Sequence, residues 1–274
     1  MSTTVFVSGC FDDIKSKHIR FLEEASKLGN VHVQLWSDEA ALAATGKPVK
    51  CTTAERIYFL QAIRYVHTIA VIEAPVNPDA LYQPEPLGSA VWAVDEVTAN
   101  DAKQTFCRVH SITYRVITNK ECEGFPVPVM VPGSNGAGRK KVVVTGCYDW
   151  FHSGHVRFFE EVSELGDLYV VAGSDKNVEL LKGPGHPLFR EDERRYIVNS
   201  IRYVTQALIS TGAGWMDAEP EIAVIKPDIY VVNEDGDKTD KKEFCKTHGI
   251  QYVVLKRTPK EGLPKRQSTN LRGF

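Results

Sequence analysis

The sequence predicts an α/β protein of two tandem domains, each built on a doubly wound parallel sheet. Two observations lead to this prediction. An internal repeat places residues 5–24 over residues 142–161 without a gap, so the chain carries one domain twice. Strand and helix patterns alternate through the second copy, which is typical of a parallel sheet covered by helices.

The repeat extends beyond this first stretch. Leu28-Gly29 lies over Leu165-Gly166. With one residue of slippage, residues 63–66 lie over residues 201–204, and both segments read Ile-Arg-Tyr-Val. Such a series of matches in the same order is not expected by chance.

The segment between the two copies is rich in proline in its first half and in glycine in its second half. Proline favours an extended backbone and glycine a flexible one, so this composition indicates a linker. We therefore predict a first domain over residues 1–125, a linker over residues 126–139 and a second domain over residues 140–274.

The elements are clearest in the second copy. A β-branched run over residues 141–145 is long enough for a buried strand and too short for a helix. Val156, Phe159 and Val162 then form a helical stripe that ends at Gly166. Strands are predicted near residues 141–146, 168–173, 205–209, 228–233 and 251–255, and helices near residues 154–165, 190–202, 217–226 and 239–248.

The composition indicates an ordinary globular protein. The chain has 274 residues, of which 43% are hydrophobic and 25% are charged. Its net charge of −2 gives no bulk attraction for nucleic acid or a membrane surface, so any anion site must be local. No leader pattern and no apolar run of membrane-spanning length is seen, and the six cysteines form no C-x-x-C pair. We expect a reduced, cytoplasmic protein without membrane insertion.

The most informative motif is His152-Ser153-Gly154-His155, which follows the first strand of the second copy and begins a helix. Free backbone N–H groups and the helix dipole favour an anion there, and imidazoles add hydrogen-bond donors. Gly154 is expected to let a ligand approach the backbone. The motif could also be half of a metal site or two structural histidines.

This segment resembles the H-x-G-H signature of the cytidylyltransferase-like nucleotidyltransferases, together with Gly146-Cys147-Tyr148-Asp149 before it. Further matches follow in the family's order and cover residues 140–274: Leu181-Lys182-Gly183, Glu193-Arg194, Ile201-Arg202-Tyr203-Val204, the run from Arg257 to Gly262, and Arg266-Gln267-Ser268-Thr269. The tandem layout is similar to that of ethanolamine-phosphate cytidylyltransferases, although there the first copy carries the intact motif.

The resemblance implies a Rossmann-like fold and a defined chemistry. The expected reaction transfers CMP from CTP to a small phosphorylated alcohol or amino alcohol, of the glycerol-phosphate or ethanolamine-phosphate type, and releases pyrophosphate. Mg²⁺ is expected to be carried mainly by the triphosphate, without dedicated protein ligands. Adenylyl transfer to a sugar phosphate remains an alternative, and so does a nucleotide-binding sensor without turnover. Monomer and homodimer both remain open, and no nucleic-acid partner is expected.

The resemblance also assigns roles to individual residues. Lys182, which the glycine-rich sequence places in an irregular stretch, is expected by the resemblance to reach the acceptor phosphate and the α-phosphate. Asp149 and Trp215 are candidates for holding an ammonium group, but a structural role for Asp149 and plain packing for Trp215 are equally open. The implied catalytic residues are His152, His155 and Lys182; the nucleotide-binding residues are Gly146, Cys147, Tyr148, Gly154, Arg266, Ser268 and Thr269; and the acceptor-binding residues are Asp149, Arg194 and Trp215.

The first copy departs from the motif. Lys15 lies opposite His152, Lys17 lies opposite Gly154, and only His18 is kept, opposite His155. A lysine at the glycine position is expected to fill space that a triphosphate needs. The sequence therefore predicts a non-catalytic first copy. The acidic run after the fourth strand of the second copy, residues 234–237, is interpreted either as a turn or as a loop that faces nucleotide or metal.

Overall fold

The computed structural model describes residues 3–82, 90–128 and 138–268. The chain divides into two compact units, Met1–Gly124 (unit 1) and Phe125–Phe274 (unit 2). Most of the predicted linker, residues 129–137, lies outside the described residues. Among the described helices, none is long and apolar enough to cross a membrane.

Unit 1 contains one parallel five-stranded sheet in the order β3-β2-β1-β4-β5. Its elements are β1 (Thr4–Gly9), α1 (Ser16–Ser26), β2 (Asn30–Trp36), α2 (Asp38–Thr45), α3 (Thr53–Ala62), β3 (Val66–Ile72), β4 (Ala90–Asp95), α4 (Asp101–Val109) and β5 (Thr113–Ile117).

Unit 2 repeats this arrangement, with a parallel sheet in the order β10-β9-β6-β7-β8. Short 3₁₀ turns lie at Gly214–Met216 and Glu234–Gly236. The regular elements are β6 (Lys141–Gly146), α5 (Ser153–Leu165), β7 (Asp167–Ala172), α6 (Asp175–Lys182), α7 (Glu191–Asn199), β8 (Val204–Ile209), α8 (Glu219–Ile225), β9 (Ile229–Asn233), α9 (Thr239–Thr247) and β10 (Gln251–Leu255). The predicted α/β class with two parallel sheets is confirmed.

The strands form because their residues are buried on both faces. Val142, Val143 and Val144 follow one another in β6, and each is fully buried. Consecutive buried β-branched residues are typical of a parallel strand that has helices on both sides. Gly166 permits the tight entry to β7, because a Cβ atom there would lie 2.1 Å from the Lys140 carbonyl oxygen.

Helix α6 was not predicted, and it corrects the expected environment of Lys182. The Ser174 hydroxyl accepts from the backbone N–H of Asn177 and so begins the helix. Val178 is buried on its inner face. Lys182 is therefore the last residue of a helix, not part of an irregular stretch.

The order of the strands fixes where a ligand can bind. Strand β6 lies between β7 and β9, and the chain crosses from one half of the sheet to the other between β8 and β9. The carboxyl ends of β6 and β9, at Gly146 and Asn233, therefore open the crevice in which doubly wound sheets hold ligands.

Candidate functional site

Unit 2 has a pocket of about 660 Å³ at this crevice. Its walls come from the loop between β6 and α5, the start of α5, the end of β9 and the segment after β10. The lining residues are Thr145, Gly146, Cys147, Tyr148, Asp149, Trp150, Gly154, His155, Phe158, Lys182, His186, Val232, Asn233, Asp235, Gly236, Lys241, Arg257, Gln267 and Ser268.

The two motif histidines begin α5 and stack on one another. Their ring centroids are 4.0 Å apart, with 28° between the ring planes. His152 Nδ1 accepts from the Gly154 backbone N–H (3.1 Å), and His155 Nδ1 accepts from the His152 backbone N–H (3.3 Å). An accepting Nδ1 carries no proton, so the proton of each neutral ring lies on Nε2. Each ring then carries its donor on Nε2. His155 is among the described residues that line the pocket, whereas His152 is not and is only 5% exposed.

Burial keeps His155 neutral. Its pKa is well below the ordinary value of 6.5, chiefly because burial penalises the charged ring. The nearby His152, Arg257 and Lys182 lower the pKa further. At neutral pH His155 is therefore a neutral donor, and the positive charge of the site comes from its lysines and arginine.

Lys182 and Arg257 supply charge beside the histidines. Lys182 lines the pocket from the end of α6, and its side chain is exposed. The Arg257 guanidinium lies 2.6 Å from an oxygen of Asp235, which holds it at the pocket wall. Two cations and a helix N-terminus give a local field that suits a polyanion, although the whole chain is slightly acidic.

Gly154 lines the pocket and has a second role that was not expected. A Cβ atom at this position would lie 2.9 Å from Cε1 and 3.0 Å from Nδ1 of His152. Glycine therefore makes room for the His152 ring and for the hydrogen bond between the two residues. The space left by the missing side chain is taken up by the His152 ring.

Arg194 does not contact the pocket, which corrects its expected role in phosphate or acceptor binding. Its side chain is fully buried. Its guanidinium donates to the carbonyls of Phe189, Cys147 and Gly173 at 2.6–2.9 Å and to Asp175 at 2.7 Å. These four hydrogen bonds tie the loops after β6 and β7 to α7. Arg194 therefore holds the loops of the site in position without lining the pocket itself.

Asp149 lines the pocket, but its carboxylate has a structural task. Oδ1 accepts from the backbone N–H groups of Leu188 and Phe189, at 2.8 and 2.9 Å. Asp12 of unit 1 accepts from two consecutive backbone N–H groups in the same way. Because the feature is present in both units, the geometry favours the structural alternative over an ammonium contact.

Trp215 is not among the described residues that line the pocket. Its side chain is 57% exposed, and the Lys238 ammonium lies 5.5 Å from its ring centroid. The aromatic face that was expected to hold an ammonium ligand therefore already has a cation of the protein against it.

Those of the remaining predicted nucleotide-binding residues that the structure describes lie in or next to the pocket. Gly146, Cys147 and Tyr148 line it, and Tyr148 is buried, with its ring centroid 5.5 Å from that of His155. Burial raises the pKa of the Tyr148 hydroxyl, which therefore stays protonated. Ser268 also lines the pocket, whereas the Arg266 carbonyl accepts weakly from Arg257, at 3.4 Å. Thr269 lies outside the described residues.

Lys241 is a pocket residue that the sequence analysis missed. It lies on α9 and is only 9% exposed. Its signal was available, because Lys241 stands four residues before the buried Cys245, and Lys103 stands four residues before the buried Cys107 in unit 1. A lysine repeated on the inner face of a helix is not a surface lysine.

The match to a known family lies within unit 2. A family described as cytidylyltransferase-like matches residues 143–272. An FAD synthase from Ferroglobus placidus is 36% identical over 125 residues, which cover 44% of this chain and 78% of that protein. The bifunctional protein HldE of Campylobacter concisus is 38% identical over 100 residues, covering 36% of this chain and only 21% of HldE. Among solved structures, a lipopolysaccharide core biosynthesis protein from Thermoplasma volcanium covers 45% of this chain at 25% identity, with a TM-score of 0.37.

Proposed function

Since the chain belongs to the cytidylyltransferase-like family of nucleotidyltransferases, we propose that unit 2 transfers a nucleotidyl group from a nucleoside triphosphate to a phosphorylated acceptor. One observation carries this proposal. Two stacked imidazoles at a helix N-terminus each keep Nδ1 as an acceptor and so have Nε2–H to donate, beside Lys182 and Arg257.

The chemistry asks little of the protein beyond positioning. A phosphate oxygen of the acceptor is already a nucleophile at neutral pH, so no general base is needed. It forms a bond to the α-phosphorus while the bond to the bridging oxygen breaks, and pyrophosphate leaves with that electron pair. The helix N-terminus and the Nε2–H groups of His152 and His155 stabilise the charge that develops on the leaving group.

Mg²⁺ fits this site as a companion of the triphosphate. Among the described residues, no group of three or more His, Cys, Asp or Glu side chains could hold a metal ion. The pocket carboxylates also have partners, since Asp235 pairs with Arg257 and Asp149 accepts two backbone hydrogen bonds. The ion would neutralise phosphate charge, and most of its ligands would be phosphate oxygens and water.

The leading substrates of the proposal are CTP and a small phosphorylated alcohol. The description of the matching family supports CTP. Of the two acceptor types, the glycerol-phosphate type is favoured. The contacts of Asp149 and Trp215 remove the support that a cationic head group had from the sequence.

A second candidate is adenylyl transfer. The relative from Ferroglobus placidus is named FAD synthase, and FAD is a flavin phosphate joined to an adenylyl group. The same pair of imidazoles would serve ATP and CTP equally, because the pair contacts the phosphates and not the base. A sugar phosphate or a flavin phosphate is then the acceptor to test.

The deciding experiment is a pyrophosphate-release assay with CTP and ATP in parallel, each with glycerol phosphate, ethanolamine phosphate, a sugar phosphate and FMN. We expect release with CTP and glycerol phosphate, and none when the acceptor is omitted. Release with ATP alone would move the assignment to the second candidate. Nucleotide binding without release for any acceptor would instead indicate a sensor and contradict the proposal.

A further inference from the structure

Lys241 is a buried ammonium on the floor of the pocket. Its Nζ donates to Thr145 Oγ1 (3.3 Å) and lies 5.6 Å from the centroid of the Tyr230 ring. Thr145 Oγ1 and the Tyr230 hydroxyl are 2.8 Å apart, so the three side chains form one polar cluster. We call these three residues the floor cluster.

The charge of Lys241 is not neutralised by a neighbouring carboxylate. Within the described parts of the chain, Lys241 has no carboxylate as an ion-pair partner. Asp217 acts on it only from a distance, and its own carboxylate accepts from the Ser210 hydroxyl (2.6 Å). Burial and Lys238 lower the pKa of Lys241, as expected for a desolvated cation. A buried cation is costly unless an anion compensates it.

The matching lysine of unit 1 shows how the protein can compensate such a charge. Lys103 occupies the same place on α4 and is 8% exposed. Its Nζ donates to the Thr98 carbonyl (2.6 Å) and lies 3.3 Å from an oxygen of Asp79. Both lysines line the pocket of their own unit, but among the described residues only the ammonium of Lys103 has a carboxylate within ion-pair distance.

The floor cluster itself exists only in unit 2. The strand register places Trp92 of unit 1 where Tyr230 stands in unit 2. Ser8 stands where Thr145 stands, and its hydroxyl accepts from the Trp36 indole N–H (3.0 Å). In unit 1 an indole ring, Trp92, therefore stands in place of the Tyr230 phenol. The Ser8 hydroxyl, which stands in place of the Thr145 hydroxyl, is bonded to a second indole ring.

Lys241 is also separate from the cations that surround the histidines. Lys182 ends α6 and Arg257 follows β10, and both lower the pKa of His155, whereas Lys241 lies on α9. Thr145 and Tyr230 lie with Val143 on the sheet face that α8 and α9 cover.

In-line displacement requires the incoming and leaving groups to lie on opposite sides of the α-phosphorus. The acceptor phosphate and the leaving pyrophosphate are both anions, so we expect each of them to have its own cationic subsite.

We propose that the floor cluster, with Lys241 as its charge, binds the phosphate of the acceptor and aims one oxygen at the α-phosphorus. This inference rests on the proposed nucleotidyl transfer and deepens it. It assigns the cations around His155 to the leaving pyrophosphate and Lys241 to the attacking partner. Lys241 keeps its proton throughout, so it is a binding and positioning residue.

The test compares Lys241→Met with Lys242→Met. Lys242 is on the same helix but is solvent-exposed and pairs with Asp237. Loss of a charge-assisted hydrogen bond is expected to raise the KM of the acceptor by about 10–100-fold in the Lys241 variant. The KM of the nucleotide should change by less than about twofold. The Lys242 variant should match the wild type in both constants. Lys241→Gln, which keeps a neutral donor, covers the case in which Met fails to fold.

Direct binding separates this inference from the proposed function. Calorimetry with glycerol phosphate and with inorganic phosphate, without nucleotide, should show binding to the wild type and about 10–100-fold weaker binding to Lys241→Gln. Glycerol should not bind. If the wild type releases no pyrophosphate but this difference in phosphate binding is found, the reaction is wrong and the subsite stands. Unchanged phosphate binding and acceptor KM in both Lys241 variants, or a rise in nucleotide KM alone, would overturn the subsite.

Discussion

The two units have the same backbone fold and differ in the side chains that the proposed phosphate transfer needs. Both keep the aspartate that ties the first loop and the buried arginine behind it, as Asp12 and Arg56 in unit 1. Both also keep the second histidine of the motif: His18 Nδ1 accepts from the Lys15 backbone N–H at 3.0 Å. The aspartate and the arginine therefore hold the fold in both units, and a difference in activity between the units must come from the residues that differ around the shared histidine.

The differences are concentrated in the pocket. The residues of unit 2 and their counterparts in unit 1 are His152 and Lys15, Gly154 and Lys17, Lys182 and Thr45, Arg257 and Asn119, and Tyr230 and Trp92. The corresponding pocket of unit 1 is about 350 Å³, against about 660 Å³ in unit 2, and two indole rings, Trp36 and Trp92, line it. Unit 1 thus lacks one imidazole, the cations at the positions of Lys182 and Arg257, and part of the space, and it has lysines at the positions of His152 and Gly154 instead.

The histidines provide the strongest test of this comparison, because the second imidazole caps a helix in both units and the proposed function gives it a catalytic role only in unit 2. We expect His155→Ala to lower kcat by about 10²–10³-fold, since it removes one preorganised donor to the leaving group. His18→Ala should leave kcat unchanged. Both variants should lose a similar free energy of unfolding, about 1 kcal/mol, because each removes a helix cap.

Steady-state kinetics and urea unfolding on both variants check this prediction. A matched loss of stability with an unmatched loss of kcat is the expected pattern. Equal kcat values in the two variants would mean that the second imidazole is a cap in both units and nothing more.

Gly154 gives the next largest expected effect. Gly154→Lys copies unit 1 and places a Cβ 2.9 Å from the His152 ring, which must then turn away. Misplacement of a catalytic group by about 1 Å costs roughly 10²-fold in rate, so kcat should fall by that amount. The same substitution together with His152→Lys removes the clash. The double variant should therefore be more stable than Gly154→Lys, and still inactive.

The reciprocal exchange asks whether unit 1 can be restored. Lys15→His with Lys17→Gly, in a chain whose unit 2 carries His152→Ala and His155→Ala, should release no pyrophosphate. Thr45 and Asn119 would still leave this pocket without counterparts of Lys182 and Arg257. Turnover in this variant would show that the imidazole pair alone is sufficient, and that the lysine and arginine matter less than the comparison suggests.

Much of the fold was readable from the sequence, because hydrophobic period and repetition determine it. The β-branched run of β6 and the helical stripe of α5 were located within about one residue. Helix α6 was not predicted because it has only eight residues between its cap, Ser174, and the glycine-rich stretch that begins at Gly183. Short helices with few apolar residues give weak signals.

The site was only partly readable, because sequence does not tell which way a polar side chain points. Arg194 matches a family motif equally well whether it faces phosphate or three backbone carbonyls. Lys241 looks like one of several lysines on a polar helix until its burial is known. The position of His152 and His155 at the start of a helix was predicted because it depends on their spacing and on the helical pattern after them, which the sequence records.

The smallest expected effect concerns pH and tests whether the cap of unit 1 is as buried as the geometry indicates. Burial, with Lys17 next, lowers the pKa of His18 from 6.5 to about 4, while Asp13 and Asp95 oppose the shift and Lys15 adds to it. Between these values the unfolded chain binds a proton that the folded chain does not, so the free energy of unfolding falls as pH falls. From pH 6.5 to 5.5 the loss in the free energy of unfolding should be about 1 kcal/mol for this residue.

Unfolding of unit 1 can be followed by itself. With Trp150 and Trp215 changed to Phe, the fluorescence of Trp36 and Trp92 reports on unit 1 alone. His18→Gln should then remove the part of the pH dependence that comes from His18. A slope that is the same with and without His18 would mean that the ring is solvated, and that the two units do not share their cap.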